Sequence, residues 1–167
     1  MTWKTAFLFM VLATLVVILV GWLTSIGILP ISQMINYSDA GLRFIRVWIL
    51  LAIAIGLIVP TITFVIWFKY PEIRKIFGLY LLVLIIQIVT EQIVSKVWFP
   101  SLVVVIGTLY TAFRVWQLWH EQQFIKSTDF VVERGNFRII SSVLWLLLLF
   151  WSSNLIMLLT LSWPSIL

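Results

Sequence analysis

The stretch that decides the fold is IFGLYLLVLIIQIVTEQIV, residues 76–94. Nineteen residues of helix rise about 28 Å, close to the thickness of a bilayer's hydrocarbon core. It carries one carboxylate, Glu91, and an amide, Gln87, four residues earlier. That spacing puts both on one face of a helix. The flanks are as informative as the stretch. On one side stands a basic connector, Lys69-Tyr70-Pro71-Glu72-Ile73-Arg74-Lys75, and on the other Ser95, Lys96, Trp98, Phe99 and Pro100.

Working outward, four more apolar stretches follow the same pattern. Hydrophobic residues make up 63% of the 167 residues and charged residues only 10%, against roughly 45–50% and 25% in soluble domains. A small soluble fold cannot hide that much apolar surface. The sequence predicts an all-α integral membrane protein, a single polytopic domain over 1–167 with spans at about 6–29, 47–68, 76–94, 101–119 and 139–163. The polar stretch 120–138 forms the longest loop, with Gly135-Asn136 as a turn. The short connection after residue 94 makes spans three and four an antiparallel hairpin, and the rest of the bundle is expected to pack around span three.

The first span could be confused with a signal peptide, but its apolar run is longer than an h-region and no small-residue cleavage pattern follows. Ser38-Asp39 reads as a helix cap with an acid in the first turn. Pro60, inside span two, frees the carbonyl of Gly56 and kinks the helix, with Thr61 and Thr63 at hand to re-satisfy the backbone.

Lys and Arg number eight on the side of the N-terminus and three on the other, which places the N-terminus in the cytoplasm and the C-terminus outside. The host is expected to be a bacterial inner membrane or an internal membrane such as a thylakoid. Eight of the ten tryptophans fall near span ends, as an interfacial aromatic belt requires. The net charge of +5 follows from cytoplasmic loops, and no basic run points to nucleic acid.

Several chemistries are excluded. The chain has no cysteine and one histidine, His120, which removes disulfides, iron–sulfur clusters and His-rich metal sites. No metalloprotease, nucleophile-elbow, P-loop or dinucleotide signature occurs, so no catalytic residue and no metal site is assigned.

Depth along the helices decides which polar residues can meet. Counted at about 1.5 Å per residue, Gln87 lies roughly 12 Å and Glu91 roughly 6 Å below the outer end of span three. Asn154 falls at the level of Gln87, with Ser153 and Ser152 beside it and Thr24 and Ser25 at the end of span one. Gln87, Glu91, Asn154 and Ser153 are therefore expected to form one polar cluster. It serves either as a ligand or proton site or as interhelical hydrogen-bonding glue, with Glu91 reaching water or Lys96. The same count puts Arg114 roughly 20 Å deep, at an inner interface with Trp116 and His120 and out of reach of Glu91. No cofactor is expected; a pigment or lipid contact at His120 is the one such contact left open.

Small residues four apart, among them Gly21 with Ser25, Ala52 with Gly56 and Gly107 with Thr111, suit close helix contacts. The lack of catalytic chemistry and these faces lead to the expected function, a non-enzymatic accessory or assembly subunit of a larger membrane complex. Its partners are then the bilayer and other subunits or further copies of itself. The alternative is a small transporter or lipophilic-ligand-binding protein using the site around Glu91.

Overall fold

The computed structural model describes residues 2–127 and 134–167, and all regular structure among them is helical. In chain order the elements are α1 (Trp3–Ser25), α2 (Asp39–Leu51), a π-helical segment (Ala52–Ile58), α3 (Val59–Ile66), α4 (Pro71–Val97), α5 (Leu102–Ser127), α6 (Arg134–Met157) and a second π-helical segment (Leu158–Ser162). Five helical rods are long and apolar enough to cross a membrane, with α2, the first π segment and α3 counting as one. Asp129 and Glu133 of the expected polar loop lie outside the described residues. Gly135-Asn136 is part of the first turn of α6 rather than a turn before it.

Helix ends follow their local chemistry. The Ser38 hydroxyl accepts from the Gly41 N–H at 3.2 Å and Asp39 sits in the first turn, so α2 starts where the cap signal placed it. Helix α1 ends at Ser25, short of residue 29, because Gly27 adopts φ +75° and closes a Schellman motif. Its N–H donates to the Thr24 carbonyl at 3.1 Å, and that of Ile28 to Leu23 at 3.0 Å. The expected span to residue 29 runs past this glycine.

The centre of the bundle is α5, not the stretch 76–94. Of the most apolar window of α5, 61% is buried, against 17–39% for the other four rods. It packs against α1, α4, α6 and the second π segment. The cause is its polarity. Thr111, Arg114, Gln117, Glu121 and Gln122 are all buried and fall on one stripe of the helix. A polar stripe cannot face lipid, so the most polar span goes inside and the most apolar ones surround it.

Helix α1 attaches by a narrow seam, Ala6, Ala13, Val17, Gly21 and Thr24. Phe9 fixes it to α5, stacking on Phe113 with ring centroids 3.8 Å apart. At the end of the bundle carrying the 98–101 connection, the segment between α1 and α2 pairs with the C-terminal residues. The Ser32 N–H donates to the Ile166 carbonyl at 2.7 Å and that of Asn36 to Ser165 at 3.0 Å.

Pro60 is preceded by the π segment Ala52–Ile58. The Gly56 carbonyl is satisfied from another helix. Tyr80 of α4 donates its hydroxyl to it at 2.6 Å, and Trp151 of α6 donates its indole N–H to Tyr80 at 2.8 Å. Thr61 and Thr63 instead bond back to Leu57 and Val59 of their own helix, at 2.7 and 2.8 Å. Beyond the bend α3 packs on α4, whereas α2 buries only Gly41 and stands away from α4.

The small-residue positions are filled from within the chain. A Cβ on Gly56 would lie 2.7 Å from Trp151 Cζ2, and one on Gly21 2.5 Å from Trp98 Cζ3. Trp151 is buried and held by Tyr80, whereas Trp98 is largely exposed and can swing aside. Gly56→Ala is therefore expected to destabilise the bundle by about 1–3 kcal/mol, and Gly21→Ala by less. Gly107→Ala, whose Cβ would meet its nearest neighbours at 3.6–3.7 Å, is expected to be tolerated. Denaturant titration of the three purified variants, followed by tryptophan fluorescence, measures the order.

Candidate functional site

Three helices converge on one buried charge. Arg114, in the middle of α5, is fully buried and donates from Nη2 to the Gln87 side-chain oxygen of α4 at 2.8 Å. Gln87 passes the interaction on, its Nε2 donating to Glu91 Oε1 at 2.7 Å. The guanidinium carbon stands 4.1 Å above the Trp151 ring of α6 and 5.5 Å from that of Tyr80. Nε and Nη1 have no hydrogen-bond partner among the described residues; the ring stack supplies negative potential instead. Gln87 thus separates a cation from a carboxylate and bonds to both.

This arrangement corrects the depth argument. Helix α4 runs to Val97 rather than 94, so Gln87 lies deeper than the count had it and meets Arg114. Helix α5 runs to Ser127 rather than 119, so Arg114 stands near its midpoint and not at its inner end. Arg114 therefore leaves the inner-interface group. Trp116 and His120 do lie at the surface, stacked on each other at 5.7 Å, on the face of α5 turned away from Arg114. The expectation that Arg114 and Glu91 form no direct pair agrees with an intervening Gln87, but the reason is the amide and not distance along the bundle.

Above the relay lies a cavity of about 320 Å³, between α2 with its π segment, α4, the start of α5, and the end of α6 with the second π segment. It opens where α2 leaves α4. Ile45, Ile49, Ile53, Leu84, Ile88 and Leu158 supply apolar walls, and Gln87, Glu91, Asn154 and Tyr37 the polar groups. Asn154 is held on both sides, its Oδ1 accepting from Trp48 Nε1 at 2.6 Å and its Nδ2 donating to Thr111 Oγ1 at 3.1 Å. Tyr37 donates to Ser162 Oγ at 3.0 Å.

Of the expected cluster, Gln87, Glu91 and Asn154 line this one cavity, although Asn154 bonds to Trp48 and Thr111 rather than to Gln87. Ser153 does not join them. It is exposed and bonds to the Leu149 carbonyl of its own helix at 2.9 Å. Thr24 and Ser25 also lie away from the cavity lining. Glu91 bonds to Gln87, not to Lys96.

The sequence reading missed Trp48, Tyr80, Trp151 and Tyr37. Two of them carried a signal. Tyr80 and Trp151 fall in the middle of apolar spans, and an aromatic ring with a polar tip at that depth needs a bonding partner. Trp48 and Trp163 fall near span ends and read as belt residues, yet their indole N–H groups point inward, the latter to Thr108 Oγ1 at 2.9 Å.

The site offers one carboxylate, two amides and an apolar wall. Among the described residues no group of three His, Asp or Glu side chains could hold a metal ion. No protein-family model matches the chain, and neither a curated protein nor a solved structure does.

Removing the hydrogen-bond partner of a buried charged group costs about 1–3 kcal/mol. Gln87→Leu is expected to destabilise the bundle by that amount. Adding Arg114→Met removes the stranded cation, so the double variant is expected to cost less than the sum of the two single changes. Denaturant titration of the four proteins in the cycle measures the coupling.

Proposed function

We propose that this chain is a five-span membrane protein, N-terminus in the cytoplasm and α4–α5 an antiparallel hairpin, that binds or carries a small lipophilic ligand. The observation that carries the reading is the cavity of about 320 Å³ bordering the α2–α4 gap, with a polar end made by Gln87, Glu91 and Asn154. Small-molecule sites combine apolar walls with a few fixed polar groups in roughly 300–1,000 Å³. Support for orientation comes from the distribution of Lys and Arg, seven to three once the buried Arg114 is set aside. In that frame the cavity lies in the outer half of a bacterial inner membrane or an internal membrane, and its mouth faces lipid.

The accessory-subunit reading loses part of its footing. It leaned on small-residue faces, and Gly56 and Gly21 receive Trp151 and Trp98 of the same chain. The exposed apolar side chains of α1 and α2 suit a lipid neighbour as well as a protein one.

The test is purification in mild detergent at native expression level, with mass spectrometry of both proteins and small molecules. A lipophilic compound is expected to accompany the native chain. It is expected to fall by at least about tenfold in Gly107→Leu, whose side chain would enter the cavity between Leu158 and Glu91. A stoichiometric membrane protein partner, with no small molecule lost in that variant, overturns the proposal in favour of the subunit.

A further inference from the structure

Resting on the reading of this cavity as a ligand site, we infer that its ligand is a lipophilic organic cation, an amine or quaternary ammonium with a short apolar body. The first ground is charge. Glu91 is the one charged side chain among the described residues lining the cavity. The nearest positive charge, Arg114, contributes nothing to the lining. It lies behind Gln87, to which its Nη2 is bonded, and against the Trp151 ring. The relay therefore turns its negative end to the cavity and keeps its positive end in the protein.

The second ground is the use of donors. An anion or hydrogen-bond acceptor entering the cavity needs N–H or O–H groups. The indole N–H of Trp48 is committed to Asn154, that of Trp151 to Tyr80, and the Tyr37 hydroxyl to Ser162. Gln87 Nε2 directs one of its two N–H groups to Glu91 and Asn154 Nδ2 one of its two to Thr111. The carboxylate is used differently. Oε1 receives the Gln87 amide, and no hydrogen bond to Oε2 is present among the described residues. Indole and phenol donors committed elsewhere, beside an under-used carboxylate in surroundings that strengthen electrostatics, favour a positive charge.

The third ground is the shape of the approach. The walls on either side of the α2–α4 gap include Ile49, Ile53 and Ile88, all at least two-fifths exposed on the outside of the bundle. An amphiphile entering sideways from lipid would leave its apolar body against these residues and bring its head to Glu91.

The full chain, reconstituted in nanodiscs of zwitterionic lipid, is titrated calorimetrically with octyltrimethylammonium, octanol and octanoate. Empty nanodiscs and Gly107→Leu correct for partition into lipid. The ammonium is expected to bind about tenfold more tightly than octanol, with octanoate weakest. Glu91→Gln is expected to remove that preference while leaving octanol within about threefold, and Glu91→Asp to keep it. Equal binding of octanol and the ammonium overturns the charge assignment and leaves the cavity reading intact. A preference for octanoate also overturns it and makes Arg114 the dominant charge. Binding of none of the three beyond the controls overturns the cavity reading itself. Should Glu91→Gln not fold, the ranking on the native chain and Glu91→Asp still decide.

Discussion

The structure depends on the placement of one guanidinium. Arg114 is held in the middle of a nearly lipophilic bundle by a hydrogen bond to Gln87 and by the faces of Trp151 and Tyr80. A buried charge of this kind survives only where neighbouring elements converge on it. That requirement draws α4 and α6 against α5 and makes α5 the axis of the bundle. The same residues then perform second tasks. Tyr80, beneath the guanidinium, also donates to the Gly56 carbonyl at the bend before Pro60. Trp151, stacked against it, donates to Tyr80 and fills the space left by the missing side chain of Gly56.

The cavity follows from that bend. Because α3 is fastened to α4 while α2 leans away, the two rods part on the side of Glu91. Trp48 and Asn154 close the far wall. The opening thus borders the π-helical segment before Pro60, and its chemistry is a by-product of compensating Arg114. One buried cation required a carboxylate nearby, and an intervening amide left that carboxylate turned towards open space.

The five rods were legible in the sequence because length and apolarity suffice to define a membrane-crossing helix. The cap at Ser38 was legible because it acts within one turn. Gln87, Glu91 and Asn154 were found by comparing depths, since polar atoms inside apolar spans have few places to go. The centre was not found. A single carboxylate drew attention to residues 76–94, while the decisive signal was the recurrence of Thr111, Arg114, Gln117, Glu121 and Gln122 on one stripe of the next helix. Ending that span at 119 discarded its last two members and made Arg114 look like an end residue, while ending span three at 94 made Gln87 look too shallow to meet it. The couplings through Tyr80, Trp151 and Trp48 join residues up to 106 positions apart, and nothing local encodes which tryptophan meets which acceptor.

The two π-helical segments, Ala52–Ile58 and Leu158–Ser162, both border the cavity. A π turn accommodates about one residue more than an α turn, so each segment stores a surplus residue in the length of its rod. Elsewhere in these helices, losing one residue would rotate everything beyond it by about 100° and carry buried faces into lipid. Within Ala52–Ile58 the same loss returns the backbone to a regular α-helix, and the flanking turns keep their bearings. Variation in chain length, ordinarily confined to loops, therefore has a place to occur inside the spans, and that place is the wall of the cavity. The site can therefore be reshaped by single-residue insertion or deletion as well as by substitution, without unseating the cation at the centre.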